Sequence, residues 1–139
     1  MSSTDCTNTV EEGTGTWPDG VQFYDKRWIP TSTQSPRALL ILLHGPAEHI
    51  GLYNQVMPRS TERGIEVYGF DQRGFGRSGP THGDTTLRQA MDDLGSMINK
   101  EHSRLETRDH GHGQTPVFLY GHSIVSPSMD LVTPIHKDG

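Results

Sequence analysis

Apolar positions along the chain change spacing from segment to segment, and each spacing predicts a different element. Val21, Phe23 and Trp28 fit a strand that runs up to Pro30. The turn before them is Pro18-Asp19-Gly20, in which proline presets φ and glycine supplies permissive backbone, so residues 16–30 read as part of a β-hairpin. "ALLILLH", from Ala38, is apolar without alternation. That is the pattern of a strand covered on both faces, and it points to α/β architecture. Leu52, Val56 and Met57 predict a helix over 52–63, with Pro58 inside it and Gly64 at its end. "IEVYGFD" is the next strand, and a long glycine-rich loop, "QRGFGRSGPTHGD", follows it.

The clearest periodicity lies beyond that loop. Leu87, Ala90, Met91, Leu94, Met97 and Ile98 form one apolar stripe at helical spacing. Asp84 or Thr85 is the expected cap, and Asp92 and Asp93 are expected to face outward. "SRLETRDHGHGQT" reads as a polar connection, and "PVFLY" as a last strand that delivers Gly121-His122-Ser123. The order hairpin, β, α, β, α, β predicts an antiparallel hairpin followed by parallel strands with crossover helices. No internal repeat is visible.

Composition narrows the picture. At 139 residues and 31% hydrophobic, the chain is one domain at most and a polar one. Twelve Lys and Arg against 17 Asp and Glu give a net charge of −5, with no basic stripe for nucleic acid and no basic patch for a membrane. Cys6 is the only cysteine, which excludes an internal disulfide framework. The longest apolar run, Ala38 to Leu43, is too short to span a bilayer. No apolar signal region follows Met1, so an intracellular, cytoplasmic protein is expected.

"GFGRSG", Gly74 to Gly79, has the GxGxxG spacing of a dinucleotide turn and follows a strand. That mechanism needs a helix to open at the third glycine and meet the pyrophosphate. Here Pro80, Thr81, His82 and Gly83 intervene, and Glu101, the acidic residue at the right distance, falls on a helix. The loop therefore reads as a set of tight turns in which Arg73 or Arg77 anchors neighbouring backbone or carboxylates. No cofactor is expected. His110 and His112 share a loop without further ligands, and no metal is expected either.

Two strand ends carry the chemistry. His44-Gly45 closes the first buried strand, and Gly121-His122-Ser123 closes the last, where open parallel sheets place their ligands. A serine at a sharp strand-to-helix turn projects its hydroxyl above the sheet, where backbone N–H groups stabilise an oxyanion. His44-Gly45 with Glu48-His49, Asp71-Gln72-Arg73-Gly74-Phe75-Gly76-Arg77-Ser78 and Gly121-His122-Ser123 together resemble the ordered motifs of α/β-hydrolases. The likeness is to the monoacylglycerol lipase branch, of the serine aminopeptidase S33 or hydrolase-4 type, and it covers about residues 9–124. The resemblance implies a partial α/β-hydrolase domain over 9–124, between a disordered stretch at 1–8 and a divergent, disordered tail at 125–139. It also implies a serine esterase or lipase acting on lipid esters, with Ser123 as nucleophile and the N–H groups after Gly45 and after Ser123, those of residues 46 and 124, as oxyanion donors. Contact with a membrane or lipid-droplet surface is compatible with that reading. His44, Gly45, Gly121 and His122 shape the motifs.

Four departures from the family lie in the catalytic machinery. Val125 stands where the elbow pattern has its last glycine. Pro46 stands at an oxyanion-donor position and has no N–H, which leaves Ile124 as the other donor. The triad acid and base are expected on loops after later strands, and those strands are expected to be missing. Asp130 and His136 follow Ser123 in the right order, but a helix after the elbow would carry Asp130 about 10 Å up its axis, away from the serine. Lastly, the strand ending at Tyr120 is expected to expose one edge, open to self-association. The expectation is the incomplete N-terminal half of an α/β-hydrolase sheet, diverging just after Ser123 and catalytically inactive. The competing expectations are a non-catalytic half-domain that binds a lipid or a partner, and an unstable truncated product.

Overall fold

In the computed structural model, residues 8–31, 35–45, 48–79, 85–109, 115–122 and 130–135 are described. β1 (Asn8–Thr16) and β2 (Gln22–Pro30) form the expected hairpin, in register from Asn8 opposite Pro30 to Thr16 opposite Gln22. Gly20, at φ 91°, takes the left-handed conformation that closes the turn. β3 (Ala38–Leu43) and β4 (Ile65–Phe70) lie parallel to each other, and β4 runs antiparallel to β2. β5 (Val117–His122) pairs parallel with the other side of β3. With β6 (Asp130–Ile135) the sheet has six strands in the order β1-β2-β4-β3-β5-β6.

β6 corrects one expectation. Residues 130–135 lie in the segment expected to be an unstructured tail, yet they pair antiparallel with β5, from His122 opposite Asp130 to Val117 opposite Ile135. An unpaired strand edge offers a row of backbone donors and acceptors, and residues 130–135 pair their own backbone with it. The β5 edge on which the expected self-association rests is therefore occupied, and the outer edge belongs to β6.

The helical segments also differ from the pattern. Where one helix is expected over 52–63, there is a 3-10 turn (Ile50–Tyr53) and a four-residue helix, α1 (Pro58–Thr61). Pro58 opens α1 at its first turn, the position where a missing N–H breaks no hydrogen bond. α2 (Leu87–Asp109) runs on through residues expected to form a polar connection. Its continuation has physical cause in Leu105, which extends the core stripe, and in a charged face of Glu101, Arg104 and Arg108 that meets Arg27 and Glu66 of the sheet. The cap is Thr86 rather than Thr85, with Asp84 outside the described residues. Thr86 Oγ1 accepts from the Gln89 N–H at 3.1 Å, and Gln89 Oε1 accepts from the Thr86 N–H at 3.0 Å.

Two cores result, one on each face of the sheet. Leu94, Met97 and Leu105 of α2 pack on Leu39, Ile41, Leu43, Phe70, Val117 and Leu119. On the other face, Ile50 and Met57 pack on Tyr24, Trp28, Leu42 and Val67. The unbroken apolar run of β3 serves both cores, and each fully buried leucine contributes about 1.5–3 kcal/mol. The stripe of α2 is narrower than expected, because Leu87 (65%) and Met91 (39%) remain exposed. Asp92 faces outward as expected, but Asp93 is buried against Arg73.

Candidate active site

β3, β4 and β5 are parallel, so their C-terminal ends lie on one side of the sheet and bring His44-Gly45, Asp71-Gln72 and His122 to that side. β3 is apolar to its end and β4 ends on Phe70, and in both the chain turns polar directly afterwards, at His44 and at Asp71-Gln72. The sheet thus carries polar groups at its end without exposing them, since His44, Asp71, Gln72, Arg73 and Ser78 are all buried. Their hydrogen bonds must therefore be made internally.

His44 is held at both ring nitrogens. Nδ1 donates to the Gly45 carbonyl at 2.8 Å, and Nε2 accepts from the Gln72 N–H at 2.9 Å. This fixes one neutral tautomer. Burial pushes the imidazole below its ordinary pKa, against the raising effects of the Gly45 carbonyl, Asp71 and Glu48. A ring with neither nitrogen free is a clamp on the backbone, not a general base. Gln72 adds a bond from its side-chain amide to the His44 carbonyl. The edge of His44 also meets Phe75, with ring centroids 6.1 Å apart.

Asp71 holds two loops together. Its carboxylate accepts from the Ile50 N–H at 2.8 Å and from the Arg77 N–H at 2.9 Å. Gly76, at φ 54°, sits so close to this carboxylate that any Cβ would collide with it. Ser78 donates to the Asp71 carbonyl at 2.6 Å and accepts from the Tyr24 N–H at 3.0 Å, which ties the loop to β2. Arg73 forks onto Asp93 with two bonds of 2.9 Å, reaches Asp19 at 2.8 Å, and stacks over Trp17 at 4.9 Å. The "DQRGFGRSG" loop is thus an anchored turn, with its arginine bound to carboxylates of the protein.

The His44-Gly45 loop has its own fastening. Glu48 Oε1 accepts from the Gly45 N–H at 2.8 Å and from the Tyr53 hydroxyl at 2.9 Å. The Glu48 N–H returns to the Gly45 carbonyl at 3.2 Å.

Of the residues singled out in the sequence, His44 and Gly45 come together with Gln72, and Gly121 and His122 end β5. Ser123, Ile124, Val125, Pro46, His110, His112 and His136 lie outside the described residues. The backbone of Asp130 lies directly across from His122, at the same end of the sheet as the serine motif, rather than up a helix. The helix that would have carried Asp130 away is not what residues 130–135 form, since they lie in a strand. Among the described residues no group of three or more His, Cys, Asp or Glu gathers as a metal site. Sequence reasoning named Glu48 and Asp71 only as motif members and missed Tyr53, Gln72 and Asp93 as partners. The available signal was positional, because a polar residue directly after an apolar strand must find its hydrogen bonds locally.

Comparisons with known proteins agree with this geometry. The model of the serine aminopeptidase S33 (hydrolase-4) family matches residues 34–124. An uncharacterized abhydrolase domain-containing protein of Dictyostelium discoideum is 36% identical over 71% of this chain and 10% of its own length. A monoacylglycerol lipase of Mycolicibacterium smegmatis is 32% identical over 76% of this chain and 35% of its own. A solved structure, a soluble variant of monoglyceride lipase from Saccharomyces cerevisiae in complex with a substrate analog, superposes with a TM-score of 0.73 at 27% identity. That match covers 86% of this chain and 38% of the yeast chain. The chain therefore spans about a third of the length of these lipases.

Proposed function

The chain belongs to the serine aminopeptidase S33 (hydrolase-4) family of α/β-hydrolases, and on that premise we propose that it carries the nucleophile half of a monoacylglycerol-lipase-like serine hydrolase. Ser123 is its nucleophile position, Ile124 supplies one oxyanion donor, and a lipid ester is the substrate class. One observation carries the reading: parallel β3 and β5 deliver His44-Gly45 and His122 side by side at one end of the sheet, with Leu43 paired to Gly121. Pro46 supplies no N–H, and the loss of one such donor costs on the order of 3 kcal/mol of transition-state stabilisation. No triad acid or base is assigned, and His44 is occupied as a clamp. The proposal is accordingly that this chain does not turn over by itself.

A fluorophosphonate ester probe, with Ser123→Ala as control, tests both halves of the reading. The expected result is no Ser123-dependent labelling and no glycerol release from a monoacylglycerol. Labelling that disappears in Ser123→Ala would overturn the inactivity and leave the nucleophile assignment standing. A second reading, a non-catalytic module for a lipid or a protein partner, is favoured by the exposure of Leu87 and Met91 on α2. Among the described residues no helix is long and apolar enough to cross a membrane, so any membrane contact of those residues' helices would be peripheral. A cytoplasmic location, with access to a membrane or lipid-droplet surface, goes with either reading.

A further inference from the structure

β6 is the outermost strand on its side of the sheet, and it carries a proline inside it, Pro134. The direction in which its backbone groups point follows from one bond in the neighbouring ladder. The Leu39 N–H of β3 donates to the Pro116 carbonyl at 2.9 Å, so that carbonyl faces β3. In a planar trans peptide the next N–H, that of Val117, points the opposite way, toward β6, and along an extended strand the sides alternate. Val117, Leu119 and Gly121 therefore turn their backbone groups to β6, and Phe118 and Tyr120 turn theirs to β3. In the β5–β6 register, the pairs that exchange hydrogen bonds are then Val117 with Ile135, Leu119 with Thr133 and Gly121 with Leu131. Pro134 lies opposite Phe118 and Val132 opposite Tyr120, in the intervening pairs, so their backbone groups point out of the sheet. The N–H that Pro134 lacks is thus one that β5 does not need. We propose that Pro134 closes the β6 side of the sheet to strand addition, so that a second copy of this chain does not continue the sheet there.

A strand edge recruits another strand through a regular row of outward donors and acceptors. On β6 that row is Asp130, Val132 and Pro134, and at Pro134 a ring carbon replaces the donor hydrogen. In an antiparallel pair of β6 edges centred on Val132, residue 134 of each copy meets residue 130 of the other, so the defect falls at both ends of the contact. The other edge of the sheet lacks this device. The Tyr24 carbonyl accepts from the Asp71 N–H at 2.9 Å, so Tyr24 faces the β4 side and Phe23, Asp25 and Arg27 face β1. Their partners Gly15, Gly13 and Glu11 bond inward, which leaves Val10, Glu12 and Thr14 of β1 with outward N–H groups and no proline among them. Association through one edge or the other is therefore told apart by which amides it protects.

Sedimentation of the full chain, paired with amide exchange by NMR, tests the edge. In the parent chain the Val132 N–H is expected to exchange at a rate independent of protein concentration. Pro134→Thr restores the donor without adding apolar surface, and self-association is expected at concentrations on the order of tenfold lower, with the Val132 amide gaining protection as the chains pair. If Pro134→Thr precipitates, Pro134→Ala is measured in its place. Two added prolines test the backbone direction separately. Val132→Pro removes an outward N–H and is expected to leave the Leu119 and Gly121 amides as protected as in the parent. Thr133→Pro removes an N–H that β5 uses, and the same amides should exchange on the order of tenfold faster. Association of the Pro134 variant no stronger than that of the parent, association that protects Val10 and Glu12 in place of Val132, concentration-dependent protection of Val132 in the parent, or equal damage from the two added prolines would overturn the proposal. These measurements need no turnover, and the outcome of Ser123 labelling bears on the hydrolase reading alone.

Discussion

Two buried polar regions of the molecule are built by opposite means. Beneath α2, side chains bind side chains: Arg27 forks onto Glu101 with two bonds of 2.8 Å and reaches Glu66 at 2.9 Å. Arg104 and Arg108 join Glu66 at 2.9 and 3.0 Å. At the strand ends, apart from the fork of Arg73 onto Asp93 and Asp19, side chains bind backbone, with His44, Glu48, Asp71, Gln72 and Ser78 each holding a main-chain group of another residue. The first arrangement places one rigid element on another, helix on sheet. The second dictates the path of loops that no secondary structure would otherwise define. Loops that carry chemistry need the second kind, because hydrogen bonds to their own backbone are what make their geometry reproducible.

Removing one member of the ionic seam is the strongest way to break the contrast. Glu101 is fully buried, and Glu101→Ala leaves Arg27, which is 12% exposed, with Glu66 as its remaining carboxylate among the described residues and the Tyr68 ring beneath it. Deleting one partner of a buried pair costs about 3–5 kcal/mol, and the surviving Glu66 bond argues for the lower end. Urea unfolding should show that loss while the Gly45 and Ile50 amides keep their relative protection. A loss below about 1 kcal/mol would mean that the seam is solvated like a surface pair.

Gly76→Ala attacks the strand ends instead. The left-handed backbone and the collision with Asp71 together should cost about 1–3 kcal/mol. The signature would be faster exchange at Ile50 and Arg77, whose N–H groups the carboxylate holds, with α2 amides slowed or sped only as far as global stability changes. Exchange unaffected at both residues would contradict the loop-tying role of Asp71.

Acidification gives the smallest effect and sharpens the comparison, because the two regions titrate in different windows. Burial holds the His44 pKa low, so the neutral form is favoured in the fold. Its contribution is complete above the unfolded value of about 6.5 and is lost as pH falls through the lower folded value. For Glu101, burial raises the pKa, but the hydrogen bond and charge of Arg27, with Arg104 and Lys100, outweigh it and leave a lowered value. Its contribution is present above an unfolded value of about 4.3 and is lost only as pH falls further. Melting temperatures between pH 7 and pH 3 should thus fall in two stages, with strand-end amides losing protection before those of α2. Simultaneous loss would show that the regions are one cooperative unit.

Much of this architecture was legible in local pattern. Pro18-Asp19-Gly20 predicts the hairpin because turn chemistry is local, and the run from Ala38 predicts a two-faced strand because nothing polar interrupts it. Pro58 warned of a break that apolar spacing alone hid. Asp93 was misread because helical periodicity sorts polar from apolar and cannot see that Arg73, twenty residues earlier, waits on the buried side. The last two turns of α2, residues 103–109, were missed for the same reason, since Arg104 and Arg108 look solvent-exposed until Glu66 on β4 is in place. β6 was missed because six residues with an internal proline carry little signal apart from the edge they pair with.

By itself the sequence determined the hairpin, the strands β3, β4 and β5, most of α2, the order of the strand-end motifs and the family, along with the proline at residue 46 that has no N–H to offer. Each of these follows from residue type and spacing within one segment. Tertiary structure decided which buried charges are paired, that His44 is a neutral clamp, that Glu48 and Tyr53 fasten Gly45, and that residues 130–135 cover the β5 edge. Those outcomes depend on partners up to 74 residues apart, as in Arg27 with Glu101, and a hydrogen bond across such a gap exists only once the sheet has brought both ends together.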